Sequence, residues 1–153
     1  MKKTVSNALV GIAGVHYVAA ELSRRGLIAL PTIRNTAGYD IIVVTPDGKK
    51  HANIQVKTSQ KSVKYWPTPP SKMVRAEPDD YYVLVRWVES EKKFEGFMLK
   101  GSEARAGVRG VEAEQRKRVR DGTRKKMFPC VRVDSSWEKL GNRWRRRWET
   151  WNL

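Results

Sequence analysis

GYDIIVVTPDGKKHANIQVKTSQ, Gly38 to Gln60, decides how the rest of this chain is read. Two apolar, β-branched runs flank Asp47-Gly48, and that dipeptide signals a two-residue hairpin because both central positions of a type I′ turn need positive φ. With Asp47 and Gly48 at the centre, Thr45 faces Lys50, Ile41 faces Ile54 and Asp40 faces Gln55. Side chains alternate along a strand, so Ile41, Val43, Ile54 and Val56 share a buried face, while Lys57 joins Gln55 one diagonal step from Asp40. In this register a carboxylate, an amide and an ammonium converge on a hairpin that otherwise builds core; a bulged turn would shift the pairing by one residue and weaken the alignment.

Outward from the hairpin, the N-terminal side reads as an amphipathic helix followed by a short strand. Val15, Val18, Ala19 and Leu22 recur at helical spacing; Arg24 and Arg25 suit the last turn, and Gly26 suits the left-handed stop. Leu27 to Ile33 is the first expected strand, Tyr39 to Thr45 the second and Lys50 to Thr58 the third. MKKTVSNALVGIAGVHYVAA imitates a secretory leader, but the helical period continues past the small residues near its end, so residues 8–25 are expected to be a retained helix. The apolar run is too short and broken for a bilayer span of about 20 residues. On the C-terminal side, YWPTPPSK carries three prolines and reads as an irregular loop. YYVLVRWV (Tyr81 to Val88), apolar on both faces, is a central strand, and KFEGFMLK (Lys93 to Lys100) is a fifth. Glu103 to Val119 is expected as a helix, and Ser135 with Glu138 forms the capping box of a last one. The expected fold is α/β (α+β), a single mixed sheet of about five strands flanked by helices. Residues 1–153 form one domain in this reading, with its core at about 5–100 and a basic, Trp-rich helical part over 101–153.

The chain has 153 residues, with 31 Lys and Arg against 16 Asp and Glu, a formal net charge of +15. That excess exceeds what solubility needs and points to a polyanion, nucleic acid first and an acidic membrane surface second. It is uneven: residues 101–153 hold 15 Lys and Arg against 7 Asp and Glu. Two basic runs carry it, EQRKRVRDGTRKK (Arg116, Lys117, Arg118, Arg120, Arg124, Lys125, Lys126) and RWRRRWETW (Arg143, Arg145, Arg146, Arg147). Such residues neutralise phosphates without reading bases. Lys61 and Lys64, in the loop after the third strand, are further candidates for nucleic-acid contact. Trp137, Leu140, Trp144, Trp148 and Trp151 fall on one helical stripe, expected to pack on the sheet or on a second subunit of a homodimer, with Arg143, Arg145, Arg146 and Arg147 turned outward. The alternative for those tryptophans is stacking on bases.

Cys130 is the one cysteine, so neither an intrachain disulfide nor a cysteine-based zinc site is available, and its apolar neighbours suit a buried thiol. With His16 and His51 the only histidines, a multi-histidine metal site is excluded too. A reducing, cytoplasmic setting fits, with no membrane role and no small-molecule cofactor.

The Asp40, Gln55 and Lys57 cluster admits two readings. Carboxylate and amide oxygens suit a hard cation such as Mg²⁺ or Mn²⁺, and a neighbouring lysine suits charge developing on a phosphate. Equally, Asp40 is a turn residue, Gln55 a half-exposed strand residue and Lys57 a solvated strand-end lysine. Helix, SRRG, short strand, GYD, apolar run and QVKT, in that order, resemble the PD-(D/E)XK nuclease superfamily over roughly residues 10–100. The resemblance implies a restriction-endonuclease-like fold and metal-dependent hydrolysis of DNA phosphodiesters. It makes Asp40 the metal-binding aspartate, places Gln55-Val56-Lys57 on the (D/E)-x-K motif, and lets the Val56 carbonyl complete the ligands. In this sequence GVHYVAAEL puts His16 where related sequences often carry a first-helix glutamate. His16 is thus a candidate proton-transfer group or phosphate donor, or a helix-flank histidine satisfied locally. Glu21, about 140° further around the helix, is a surface partner for Arg24 or Arg25. Gln55 carries no charge where the motif has an acid, so the same fold is also compatible with a nucleic-acid-binding module that has lost catalysis.

Overall fold

Val10, Gly14, Val18 and Leu22, one stripe of the first helix, are its buried residues. A computed structural model describes residues 5–33, 38–61, 63–133 and 138–153. The helix, α1 (Asn7–Arg24), begins at Ser6, whose hydroxyl accepts the Leu9 N–H (3.4 Å), and stops before Gly26 at φ 83°. The expected left-handed stop is therefore present. Five strands follow in one sheet: β1 (Ile28–Pro31), β2 (Ile41–Val44), β3 (His51–Ser59), β5 (Asp80–Val88) and β6 (Lys93–Lys100). Their order is β1-β2-β3-β5-β6, with β3 and β5 parallel and the other pairs antiparallel. The expected mixed five-stranded sheet is what forms.

The hairpin register is also as expected: Ile41 pairs with Ile54 and Val44 with His51, and Thr45 N–H bonds Lys50 C=O at 3.0 Å. The turn chemistry differs. Gly48 has φ 71°, but Asp47 is not in the positive-φ region, so this is not a type I′ turn. Gly48 N–H instead bonds Thr45 C=O (2.8 Å), with Pro46 and Asp47 between them, and Asp47 accepts from the Lys49 N–H at 3.1 Å. Proline's fixed φ favours the second position of an ordinary turn, and the glycine absorbs the remaining twist.

Alternation along the strands gives two cores. Ile41, Val43, Ile54, Val56, Val83, Val85 and Met98 meet Val18 and Leu22 of α1 on one face. Tyr82, Leu84, Phe97 and Leu99 meet Ala104 and Val108 of α2 (Gly101–Arg120) on the other. Gly14 sets the height of α1, since a Cβ there would stand 1.8 Å from Thr58 Oγ1.

The proline-rich segment is not wholly irregular. Tyr65–Pro67 forms β4 and pairs antiparallel with β7 (Cys130–Arg132) in a second, two-stranded sheet. Trp66 anchors it, buried with its indole N–H on Val85 C=O (2.9 Å). A short 3-10 helix, η1 (Ser71–Met73), follows, and buried Glu112 of α2 clasps it by accepting from Ser71 N–H (2.8 Å) and Oγ (2.6 Å). Cys130 is buried, as expected.

The last helix, α3 (Glu138–Thr150), closes the β6 edge of the sheet. Trp144 packs into the core beneath α2 and Trp148 into the core beneath α1, so α3 straddles the edge. Gly96 makes room, since a Cβ there would lie 2.6 Å from the Trp148 ring. Leu140 and Trp151 pack at its flanks, Trp151 edge-on to Tyr81. The stripe packs on the sheet from Leu140 to Trp151; Trp137 and the Ser135–Glu138 capping box rest on residues outside those described.

Candidate functional site

Asp40 sits just before the first residue of β2, where β3 runs on past its partner strand. Its N–H bonds Ile54 C=O (2.9 Å), the same residue that pairs with Ile41, so two residues of one strand share one partner and the strand bends as at a bulge. The bend aims the carboxylate at the flank of β3. Oδ2 accepts the Val56 N–H (2.7 Å) and an N–H of the Gln55 amide. Both bonds fall on Oδ2, leaving Oδ1 without a hydrogen bond among the described residues. Asp40 is half-buried, and desolvation raises its carboxyl above the ordinary value; the Val56 N–H and the charge of Lys57 oppose that rise.

The structure thus brings Asp40 and Gln55 into contact, with Lys57 close enough for its charge to act on the carboxyl. Gln55 and Lys57 lie on the α2 face of β3, because their register partners Tyr82 and Leu84 belong to that core. N–H and C=O of one strand residue point the same way, so the Val56 carbonyl also faces the end of β2. His16 is on the other side of the sheet. It is exposed on α1 and lines a cavity of about 500 Å³ with Ile12, Val15, Pro31, Asp40 and Val56. Asp40 also lines that cavity, but no hydrogen bond or ion pair joins His16 to Gln55 or Lys57 among the described residues. Glu21 pairs with Arg24 (3.0 Å) and Arg25 (3.3 Å), as the helical spacing implies.

As oriented, Gln55 offers Asp40 a donor rather than a second oxygen. A glutamate here would place two carboxylates side by side and demand a cation; the amide relieves that demand with a hydrogen bond. Among the described residues, no cluster of three or more His, Cys, Asp or Glu could hold a metal ion. The available donors are all oxygens: Asp40 Oδ1, the Gln55 amide oxygen and the Val56 carbonyl.

The expected phosphate-binding residues divide into two groups. Lys61, Lys64, Arg116, Lys117, Arg118, Arg120, Lys125, Lys126, Arg143 and Arg146 are exposed, and Arg124, half-buried, bonds Lys126 C=O (2.6 Å). Four of the helical ones are loosely paired: Arg116 with Glu112 (3.7 Å), Arg118 with Glu114 (3.6 Å), Arg120 with Asp121 (3.9 Å) and Arg143 with Glu103 (3.4 Å). Arg145 and Arg147 do not turn outward as expected. Arg147 is only 17% exposed; it grips Glu103 through both Nη atoms and bonds Met98 C=O (3.3 Å). Arg145 Nε lies 2.6 Å from Glu95, in ionic contact without hydrogen-bond geometry, and Glu95 also accepts from Arg86 (2.7 Å). The two neighbours of buried tryptophans are carried against the edge strand, where Arg147 satisfies one of its carbonyls.

Sequence reasoning overlooked Arg75. It lies after η1 with its guanidinium 4.6 Å from the Tyr39 ring centroid, beside the candidate aspartate. Nothing in its local sequence, a lone arginine in a loop, marks it; only the return of η1 across the sheet brings it there.

No family model matches the chain, and no curated protein matches it. A solved structure of a bacterial homing endonuclease, I-Ssp6803I, aligns at 18% identity and a TM-score of 0.46, over 65% of this chain and 68% of that one.

Proposed function

We propose that the chain is a metal-dependent DNA endonuclease whose site is a PD-(D/E)XK arrangement with glutamine in the acidic position. The observation that carries this reading is the meeting of Asp40, Gln55 and the Val56 backbone at a strand end, with Lys57 beside them, on a chain of net charge +15. The oxygen-only donor set fits a hard, largely hydrated cation such as Mg²⁺ or Mn²⁺, held by Asp40 Oδ1, the Val56 carbonyl and the Gln55 oxygen once the amide turns over. When bound, the cation supplies Lewis acidity at the phosphate and acidifies a water. Asp40 gives the only charged ligand. Lys57 presents a fixed positive charge where the phosphate gains negative charge, and a well-placed group of that kind is worth on the order of 10²–10³ in rate. The exposed arginines and lysines of α2, the turn after it and α3 hold the backbone by charge alone. Crystals soaked in Mn²⁺ test the site: anomalous density beside Asp40 supports it, and density elsewhere or none refutes it.

A second reading has its own observation. The Gln55 amide already satisfies Asp40 Oδ2 without a cation, as expected of a nucleic-acid-binding module that has lost catalysis. On that reading Gln55→Glu creates metal binding that the wild type lacks.

A further inference from the structure

Arg75 belongs to neither basic run, yet the fold holds it on the Gln55 face of the sheet. Its N–H bonds the Tyr82 hydroxyl (3.3 Å), and Tyr82 is the register partner of Gln55. Its carbonyl is wedged against the start of α2, where a Cβ on Gly101 would stand 2.6 Å away. Arg105 of α2 donates to the preceding carbonyl, Val74 C=O, at 2.9 Å. The side-chain stem crosses Gly38, whose missing Cβ would come within 2.9 Å of Arg75 Cδ. The guanidinium then lies against Tyr39, with Nε 3.6 Å from the buried Asp80 carboxylate.

An arginine held only for structure is usually covered and hydrogen-bonded. Arg75 keeps 45% of its side chain exposed, and among the described residues its guanidinium nitrogens make no hydrogen bond. The stem lies over Gly38, the guanidinium against the Tyr39 ring and Nε toward Asp80, and among the described residues the two Nη groups have no hydrogen-bond partner. That is a preorganised fork of the kind that takes phosphate oxygens bidentately, with less side-chain entropy to lose than a free surface arginine.

We propose that Arg75, set on Tyr39, is a phosphate-binding site for the nucleic-acid backbone, taking the phosphate next to the one that faces Asp40 and Lys57. The flanking phosphate is assigned because the guanidinium lies against the ring of Tyr39, the residue before Asp40, with its Nε toward Asp80 (3.6 Å) rather than toward Asp40. This site rests on reading Asp40, Gln55 and Lys57 as the place where the backbone binds, and it holds whether or not cleavage is retained.

The test is titration of a short DNA duplex with wild type, Arg75→Gln and Arg75→Lys across a salt series. Arg75→Gln keeps much of the stem over Gly38 and removes the charge. It should weaken binding about tenfold at low salt and reduce the slope of log K against log salt by about 0.9, one phosphate's share. Arg75→Lys keeps the charge and loses the fork, so the slope should stay near wild type while affinity falls severalfold. Thermal melting accompanies each variant, and Arg75→Lys decides the matter should Arg75→Gln fail to fold. Wild-type affinity in the variants, beside a steeply salt-dependent wild type, would overturn the Arg75 site and leave the reading of Asp40 standing. A wild type that binds no DNA at low salt would overturn both.

Discussion

Gln55 donates its amide N–H to the carboxylate of Asp40, at the point where β3 runs on beyond the first residue of β2. In a site built for a cation, two oxygens would face each other at this point and the metal would hold them together. Here the hydrogen bond does so, and several consequences follow for charge, pH and metal.

Gln55→Glu replaces the donor by a second carboxylate. The apo protein should lose stability at neutral pH, and added Mg²⁺ or Mn²⁺ should recover it, read as a metal-dependent rise in Tm larger than that of wild type. An equal response in both proteins would separate Gln55 from any cation.

Asp40 has its own pH signature. Burial raises its carboxyl above the ordinary 3.8, so the folded chain binds that proton more tightly than the unfolded one. The Asp40 contribution therefore weakens as pH rises from about 3.8 through the raised folded value, and is constant above it. Asp40→Asn removes this dependence. Its Tm relative to wild type should improve as pH rises through that window, in metal-free buffer. A Tm difference that does not change with pH would contradict the assignment.

Arg146 and Arg147, adjacent in sequence, should behave in opposite ways. Arg146→Gln, on an exposed side chain, should leave the unfolding free energy within about 0.5 kcal/mol of wild type and lower the salt slope of DNA binding. Arg147→Gln breaks the bond to Glu103 and should cost about 2 kcal/mol while leaving the slope unchanged. Burial pushes the Glu103 carboxyl up, but Arg147, the Lys100 N–H (2.8 Å) and Arg143 outweigh it and hold it below 4.5. The stability of this pair is present above about pH 4.5 and lost as pH falls through the depressed value, and Glu103→Gln should abolish that acid limb. Denaturant melts and salt titrations on the variants read both effects.

How much of this was legible in the sequence follows from the range of the interactions. The hairpin register could be read because alternation of Ile41, Val43, Ile54 and Val56 leaves one face for the core. The turn type could not, since Pro46 competes with Asp47-Gly48 for control of the turn and prevailed. β4 was hidden by its prolines; what makes it a strand is Trp66, whose indole reaches Val85 in a distant strand. Arg145 and Arg147 looked like solvent-facing charges because their partners, Glu95 and Glu103, come from β6 and α2. The convergence of Asp40 and Gln55 was readable through a single hairpin, whereas Arg75 reaches Tyr39 only through the return of η1.

Trp148 tests whether α3 is integral to the fold. Trp148→Ala should cost about 3–5 kcal/mol, as expected for a large aromatic side chain lost from a core. Gly96→Ala should cost about 1–3 kcal/mol by pushing against the same ring. Urea unfolding in which both variants match wild type would show that α3 is docked too weakly to matter.

The central claim is that a cation-assisted phosphodiester chemistry is centred on Asp40. It is tested most directly by incubating supercoiled DNA in Mn²⁺ with wild type and Asp40→Ala, both at concentrations where each binds the DNA. The account predicts nicked or linear products from wild type and none from Asp40→Ala, with binding retained in both. Cleavage that survives Asp40→Ala would contradict it.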